Sequence, residues 1–133
     1  MKVVLDEGVP RSLAGALRAL GLDAAAFDPT WIGLRNGVLL RRVEAAGYSV
    51  LLTNDKNMAF QQSLKGAAVA VVALPLNRRG VVLARAADIA ETIRRASPGR
   101  HLLMNLDGTR TVRGFEGDTL VVADLPPVPT FKG

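Results

Sequence analysis

The sequence predicts an α/β fold with a mainly parallel sheet, on three observations. Short apolar runs rich in β-branched residues alternate with segments of helical period, in the order β-α-β-α-β-α-β-α-β. Residues 67–74, AAVAVVAL, are apolar without alternation, as a central parallel strand covered on both faces must be. From Asn105 the pattern changes to short polar-apolar runs punctuated by glycine and then proline. Together these predict a three-layer α/β/α sandwich over residues 1–104, with a C-terminal β-hairpin appendage and proline-rich tail over residues 105–133.

The elements follow in order. Residues 2–5 form a buried strand ending at Asp6-Glu7-Gly8. Pro10 suits the first turn of a helix whose apolar face is Leu13, Leu17 and Leu20, closed by Gly21. Residues 23–27 make a weaker strand, and residues 28–35 a loop carrying Trp31. Asn36 is placed to cap a helix over residues 38–46, closed by Gly47. Residues 48–53 form a strand and residues 58–64 a short helix containing Gln61 and Gln62. Val82, Ala86, Ile89 and Ile93 keep one phase, predicting a single helix over 82–96 that stops at Ser97-Pro98-Gly99. Residues 101–104 form a last short strand. In residues 109–124 two strands are expected, joined by residues 114–118, and their edges suit pairing with another copy, so a homo-oligomer is expected.

Composition narrows the chemistry. The 133 residues suit one domain, and 49% hydrophobic against 22% charged residues favours a folded chain. No apolar stretch is long enough to cross a bilayer, and MKVVLDEG does not read as a signal peptide, so no membrane contact and a cytoplasmic location are expected. Without cysteine there is no thiolate zinc site, and one histidine, His101, argues against a histidine metal site or a Ser-His-Asp triad. Carboxylates, amides, hydroxyls and arginines remain. The net charge of +5 is uneven: through Met104 there are 14 Lys and Arg against 8 Asp and Glu, and beyond it 3 against 4. A basic N-terminal part favours a polyanion such as nucleic acid, though a solvated basic surface gives the same count. The candidate contacts are Arg78 and Arg79 in NRRG, the pair Arg41 and Arg42, and Lys56; Arg94 and Arg95 read first as a solvated helix face. Trp31 is expected to pack over a sheet edge in preference to stacking on a base.

In an open parallel sheet, ligands bind beyond the carboxyl ends of the strands. Asp6 and Glu7 stand at one such end and Asp55 at another, in LLTNDKNMAFQQ. Carboxylates without histidine or thiolate suit Mg²⁺ or Mn²⁺. The same aspartates also suit a simpler role, Asp6 capping the helix that begins near Pro10 and Asp55 the short helix at Met58. An acidic pair after the first strand and an Asp after the third also describe a phosphoacceptor receiver site, although no lysine follows the last parallel strand.

The segments VVLDEGVPRSL, WIGLRNGVLL and LLTNDKNMAFQQSL, followed by VAVVALP, together resemble the bacterial PIN-like domain family, whose members include VapC-toxin-like ribonucleases. The resemblance runs from Met1 to about Met104. It implies a PIN-like sheet and a metal-dependent ribonuclease, the toxin of a toxin-antitoxin pair, with RNA and an antitoxin protein as partners. It places Asp6 and Asp55 as the catalytic, metal-ligating acids, Glu7 as a third, and Asn57 as a neutral ligand. Asn36, Thr53 and Asn54 support them. Asn36 and Val38 stand where the family has an acid at a helix start, and Asn57 where many relatives have a further Asp, so a divalent ion is expected to be held weakly. The alternative is a catalytically inactive PIN-like module that binds RNA or protein.

Overall fold

The computed structural model describes residues 1–58 and 64–132. It is a mixed α/β structure on one seven-stranded, mostly parallel sheet. The strands are β1 (Lys2–Leu5), β2 (Asp23–Ala25), β3 (Val50–Thr53), β4 (Ala70–Ala73), β5 (His101–Met104), β6 (Arg110–Glu116) and β7 (Thr119–Leu125), in the spatial order β2-β1-β3-β4-β5-β6-β7. The first five run parallel, and β6 and β7 are antiparallel additions. The helices are α1 (Ser12–Ala19), α2 (Asn36–Ala45), α3 (Arg79–Ala84) and α4 (Ala86–Arg94) among the described residues. None is long and apolar enough to cross a membrane.

Alternation along the central strands divides the core. Val3, Leu5, Val50, Leu52, Ala70 and Val72 pack in one cluster with Leu13 and Leu17 of α1, Val82 of α3 and Ile89 and Ile93 of α4. Val4, Leu51 and Val71 point the other way, packing with Leu39, Leu40 and Val43 of α2 and with Trp31. Both faces of these strands are covered, which is why their sequences show no polar alternation.

Several expected boundaries are corrected. The helix predicted over 82–96 is two helices, because Arg85 leaves helical geometry at φ −107° and ψ 18°. The apolar phase runs unbroken across that joint, so it carried no sign of the break. The hairpin turn is shorter than 114–118: Gly114 lies inside β6, and the strands are joined at Gly117-Asp118. Gly117 takes φ +61°, the left-handed conformation that a two-residue hairpin turn needs. Residues 48 and 49 precede β3, and residues 26 and 27 follow β2. The helix expected over 58–64, with Gln61 and Gln62, falls mostly outside the described residues.

The C-terminal segment is tied to the sheet. Residues 110–113 of β6 pair with the whole of β5, and Phe131 is buried in the first cluster. Val128 donates its N–H to the Gly108 carbonyl at 2.9 Å and Phe131 to that of Leu106 at 2.8 Å. Gly108 has φ +89°, and a Cβ there would overlap the Val128 carbonyl. Arg110 is 3% exposed. Its guanidinium donates to Thr92 Oγ1 at 2.9 Å, to the Pro126 carbonyl at 2.9 and 2.5 Å, and to the Glu91 carboxylate. Burial pushes the Glu91 carboxyl up, but hydrogen bonds and charges from Arg95 and Arg110 outweigh it and hold that carboxyl below its usual value.

His101 is buried on β5 opposite Arg113 of β6. Burial, aided by the Arg113 charge, pushes its pKa down to about 4 from an ordinary 6.5. Between those values the unfolded chain takes up a proton that the folded chain refuses, so stability falls as the pH drops through this window. The full effect is on the order of 3 kcal/mol. Urea unfolding at about pH 7 and about pH 4.5 should show this loss in the parent and a smaller one in His101→Gln. Equal losses in both would assign the effect to other groups.

Candidate functional site

The chain leaves β1 for β2 on one side and reaches β3 on the other, so the strand order reverses at β1. Beyond the carboxyl ends of the two strands flanking such a reversal lies the crevice where open α/β sheets bind ligands. Asp6 directly follows β1, and Asp55 follows β3 by two residues. The ladder extends one step into the site, as Asp6 donates its N–H to the Leu52 carbonyl at 2.8 Å.

One hydroxyl joins the two aspartates. Thr53 Oγ1 donates to Asp6 Oδ2 at 2.7 Å and accepts the Asp55 N–H at 3.0 Å. Thr53 is fully buried, so its only proton and a lone pair are both committed within the protein. The other Asp6 oxygen accepts the Glu7 N–H at 2.8 Å, and Asp55 Oδ1 accepts the Asn57 N–H at 3.0 Å. Asp55 Oδ2 has no protein donor among the described residues. Asp6, Asn54 and Asp55 are half-buried, while Glu7, Lys56 and Asn57 are exposed. Gly8 closes one wall, because a Cβ there would overlap the Asn54 side-chain oxygen.

These contacts sort the expected roles. Asp6 does not cap the first helix: the residue before α1 is Arg11, with no side-chain cap, and both Asp6 oxygens are engaged elsewhere. Asp55 does close its own turn through the Asn57 amide. Asn36 is not a cap either, for it is the first residue of α2 and Arg35 stands in the cap position. The chain must return from the carboxyl edge of β2 to the start of β3, so α2 begins on the same edge as the aspartates. A further carboxylate at that edge, Asp28, was not among the expected site residues. It accepts from the Thr30 N–H at 2.9 Å and the Thr30 hydroxyl at 2.8 Å, and these two bonds hold its carboxyl below the usual range. The Asp-Pro-Thr spelling already carried the signal for such a turn.

The basic residues divide in the same way. Arg78 and Arg79 are exposed just beyond β4, next to β3, and Lys56 is exposed beside Asp55. Arg41 and Arg42 are exposed along α2. Arg94 donates to the Leu20 carbonyl at 2.5 Å, and Arg95 pairs with Glu91. Trp31 is 5% exposed and meets Phe27 and Tyr48 edge-on, both at 6.1 Å between ring centres, so it packs and offers no face to a base.

Among the described residues no three His, Cys, Asp or Glu side chains converge as a metal cage. A pair of aspartates with nearby amides still fits a hard cation that keeps much of its water, as Mg²⁺ does. The fold and site thus define a mixed α/β protein with two hydroxyl-linked aspartates at the switch point of a parallel sheet. Compared with known protein families, curated proteins and solved structures, the chain matches none.

Proposed function

We propose that the protein is a PIN-like ribonuclease dependent on Mg²⁺ or Mn²⁺, with the three-layer arrangement and the antitoxin partner that this class implies. The observation that carries the proposal is the Asp6–Thr53–Asp55 linkage at the switch point. Asp6 and Asp55 would hold the ion, with Asn57 as a neutral oxygen donor and Glu7 orienting water. Such an ion lowers the pKa of its water and offsets charge on a phosphodiester in the transition state. Arg78, Arg79 and Lys56, exposed at the same edge, would hold RNA phosphates. Two carboxylates bind a divalent ion less firmly than three or four, so substrate phosphate is expected to complete its shell.

Incubating the full chain with single-stranded RNA in Mg²⁺, in Mn²⁺ and in EDTA tests this. Cleavage should need the metal and fall at least about 100-fold in Asp6→Asn and in Asp55→Asn, as when a group acting on the reacting atoms is removed. Full activity in both variants overturns the proposal. The lack of a three-carboxylate cluster among the described residues favours a second reading, an inactive RNA-binding module. That reading expects equal RNA binding in EDTA and in Mg²⁺, with no products in either.

The strand order β2-β1-β3-β4-β5 is also that of doubly wound phosphoacceptor domains. Asp55 lies two residues past its strand, and Asn105, not lysine, follows β5. Absence of labelling at Asp55 by a small phosphodonor would dispose of that reading.

A further inference from the structure

A pocket of mixed polar and apolar lining lies at the other edge of the sheet, where β4 and β5 begin. It measures about 410 Å³ and is bounded by Leu64, Lys65, Pro98, Arg100, Phe115 and Gly117 among others. Four-residue strands separate it from the aspartates, roughly 13 Å at strand rise. Its size falls within the range of small-molecule sites.

The pocket is built around Arg100. The backbone of this residue is fixed on both sides, its N–H donating to Ser97 at 3.1 Å and its carbonyl accepting from Val71 at 2.9 Å. Its side chain crosses Gly114, where a Cβ would approach Arg100 Cδ to 2.5 Å and overlap the guanidinium. A glycine inside a strand weakens it and marks a close approach; here the approaching group is a guanidinium. That guanidinium is half-buried, and no carboxylate or carbonyl among the described residues accepts from it. It differs in this from Arg110, whose donors are matched with acceptors.

Two further groups face the same space. The Lys65 ammonium lies 6.0 Å from the centre of the Phe115 ring, and that ring is 38% exposed. Lys65 pairs with Asp118, whose side chain is 95% exposed, so a phosphate oxygen can take the place of that carboxylate at little cost. The pocket thus offers a planar fork of donors, a second cation and an aromatic face. A fork suits phosphate, and an exposed ring suits a stacked base.

We propose that this pocket binds a nucleotide, its phosphate on Arg100 and Lys65 and its base on Phe115. The proposal does not depend on the ribonuclease reading, since none of these residues belongs to the aspartate site. Calorimetric titration of the full chain with adenosine monophosphate and with a short single-stranded oligoadenylate tests it. Arg100→Gln and Phe115→Ala should each weaken binding of one or both ligands about ten-fold or more. Gly114→Ala should do so too, by displacing the guanidinium.

Weakening for the oligomer alone identifies an RNA strand as the source, and weakening for both identifies a free nucleotide as sufficient. Circular dichroism of each variant confirms that the fold is kept. The proposal is overturned if the parent binds neither ligand saturably, or if Arg100→Gln and Phe115→Ala both bind as the parent does. It is overturned equally if a polyglutamate peptide displaces the monophosphate as well as the oligoadenylate does, which would make the pocket a site for acidic protein.

Discussion

Arg110→Met is expected to lower the unfolding free energy by about 3 kcal/mol, since hydrogen bonds to charged groups contribute about 1.5–3 kcal/mol each and their losses overlap. The substitution keeps much of the side-chain volume, so the loss does not come from a cavity. It strands the Pro126 carbonyl, whose donor is the buried guanidinium, and removes the bond that Thr92 Oγ1 accepts, while Thr92 keeps its own donation to the Asp88 carbonyl at 2.8 Å. Glu91 suffers less: its side chain is 41% exposed and it keeps Arg95. Glu91→Gln should therefore cost less than about 1 kcal/mol. Urea unfolding of the two variants separates the contributions. Equal, small losses would mean that the tail is held by Phe131 and its backbone bonds alone.

Thr53→Val is expected to reduce metal-dependent cleavage by about 10–100-fold, the usual cost of removing a group that orients a ligand. Valine keeps the shape but has no hydroxyl. Asp6 Oδ2 then loses its donor and the Asp55 N–H its acceptor, so the Asp6 carboxylate and the Asp55 backbone lose their shared anchor. Leaving this part-buried N–H without a partner also costs about 1 kcal/mol of stability, the low end for an unmatched donor. Thr53→Ser restores the hydroxyl and should recover most of the activity. A purely packing role for Thr53 predicts the reverse order, with the serine variant the worse of the two. Comparing cleavage rates and unfolding midpoints of both variants decides between these.

Much of this architecture was legible because burial on both sheet faces leaves a plain mark. The runs at residues 2–5, 50–53 and 70–73 lack polar alternation, and each is a fully covered or nearly covered strand. The neighbourhood of Asp6 and Asp55 was legible as a possibility of parallel topology. What a one-dimensional reading lacks is register: only the pairing of Leu5 with Leu52 puts the Thr53 hydroxyl beside Asp6. Glycine was ambiguous for a related reason. Gly114 looked like a turn because strands rarely keep glycine, and its real partner, Arg100, is distant in sequence. Asn36 looked like a cap because asparagine suits that position, yet the chain enters α2 one residue earlier. Phe131 gave no sign of burial among so many prolines, since its contacts are made only when the tail folds back.

The backbone bonds from Asp6 to Leu52 and from Leu74 to Thr53 lie at the middle of the sheet, at 2.8 and 2.7 Å. Segments anchored there open only with the domain as a whole, unlike frayed ends and surface loops. The floor of the aspartate site thus has the lifetime of the fold itself. Amide exchange at Asp6 and Leu74 is therefore expected to need the opening that unfolds the whole domain. A ligand arriving at Asp6 meets a surface whose order was already established when the chain folded.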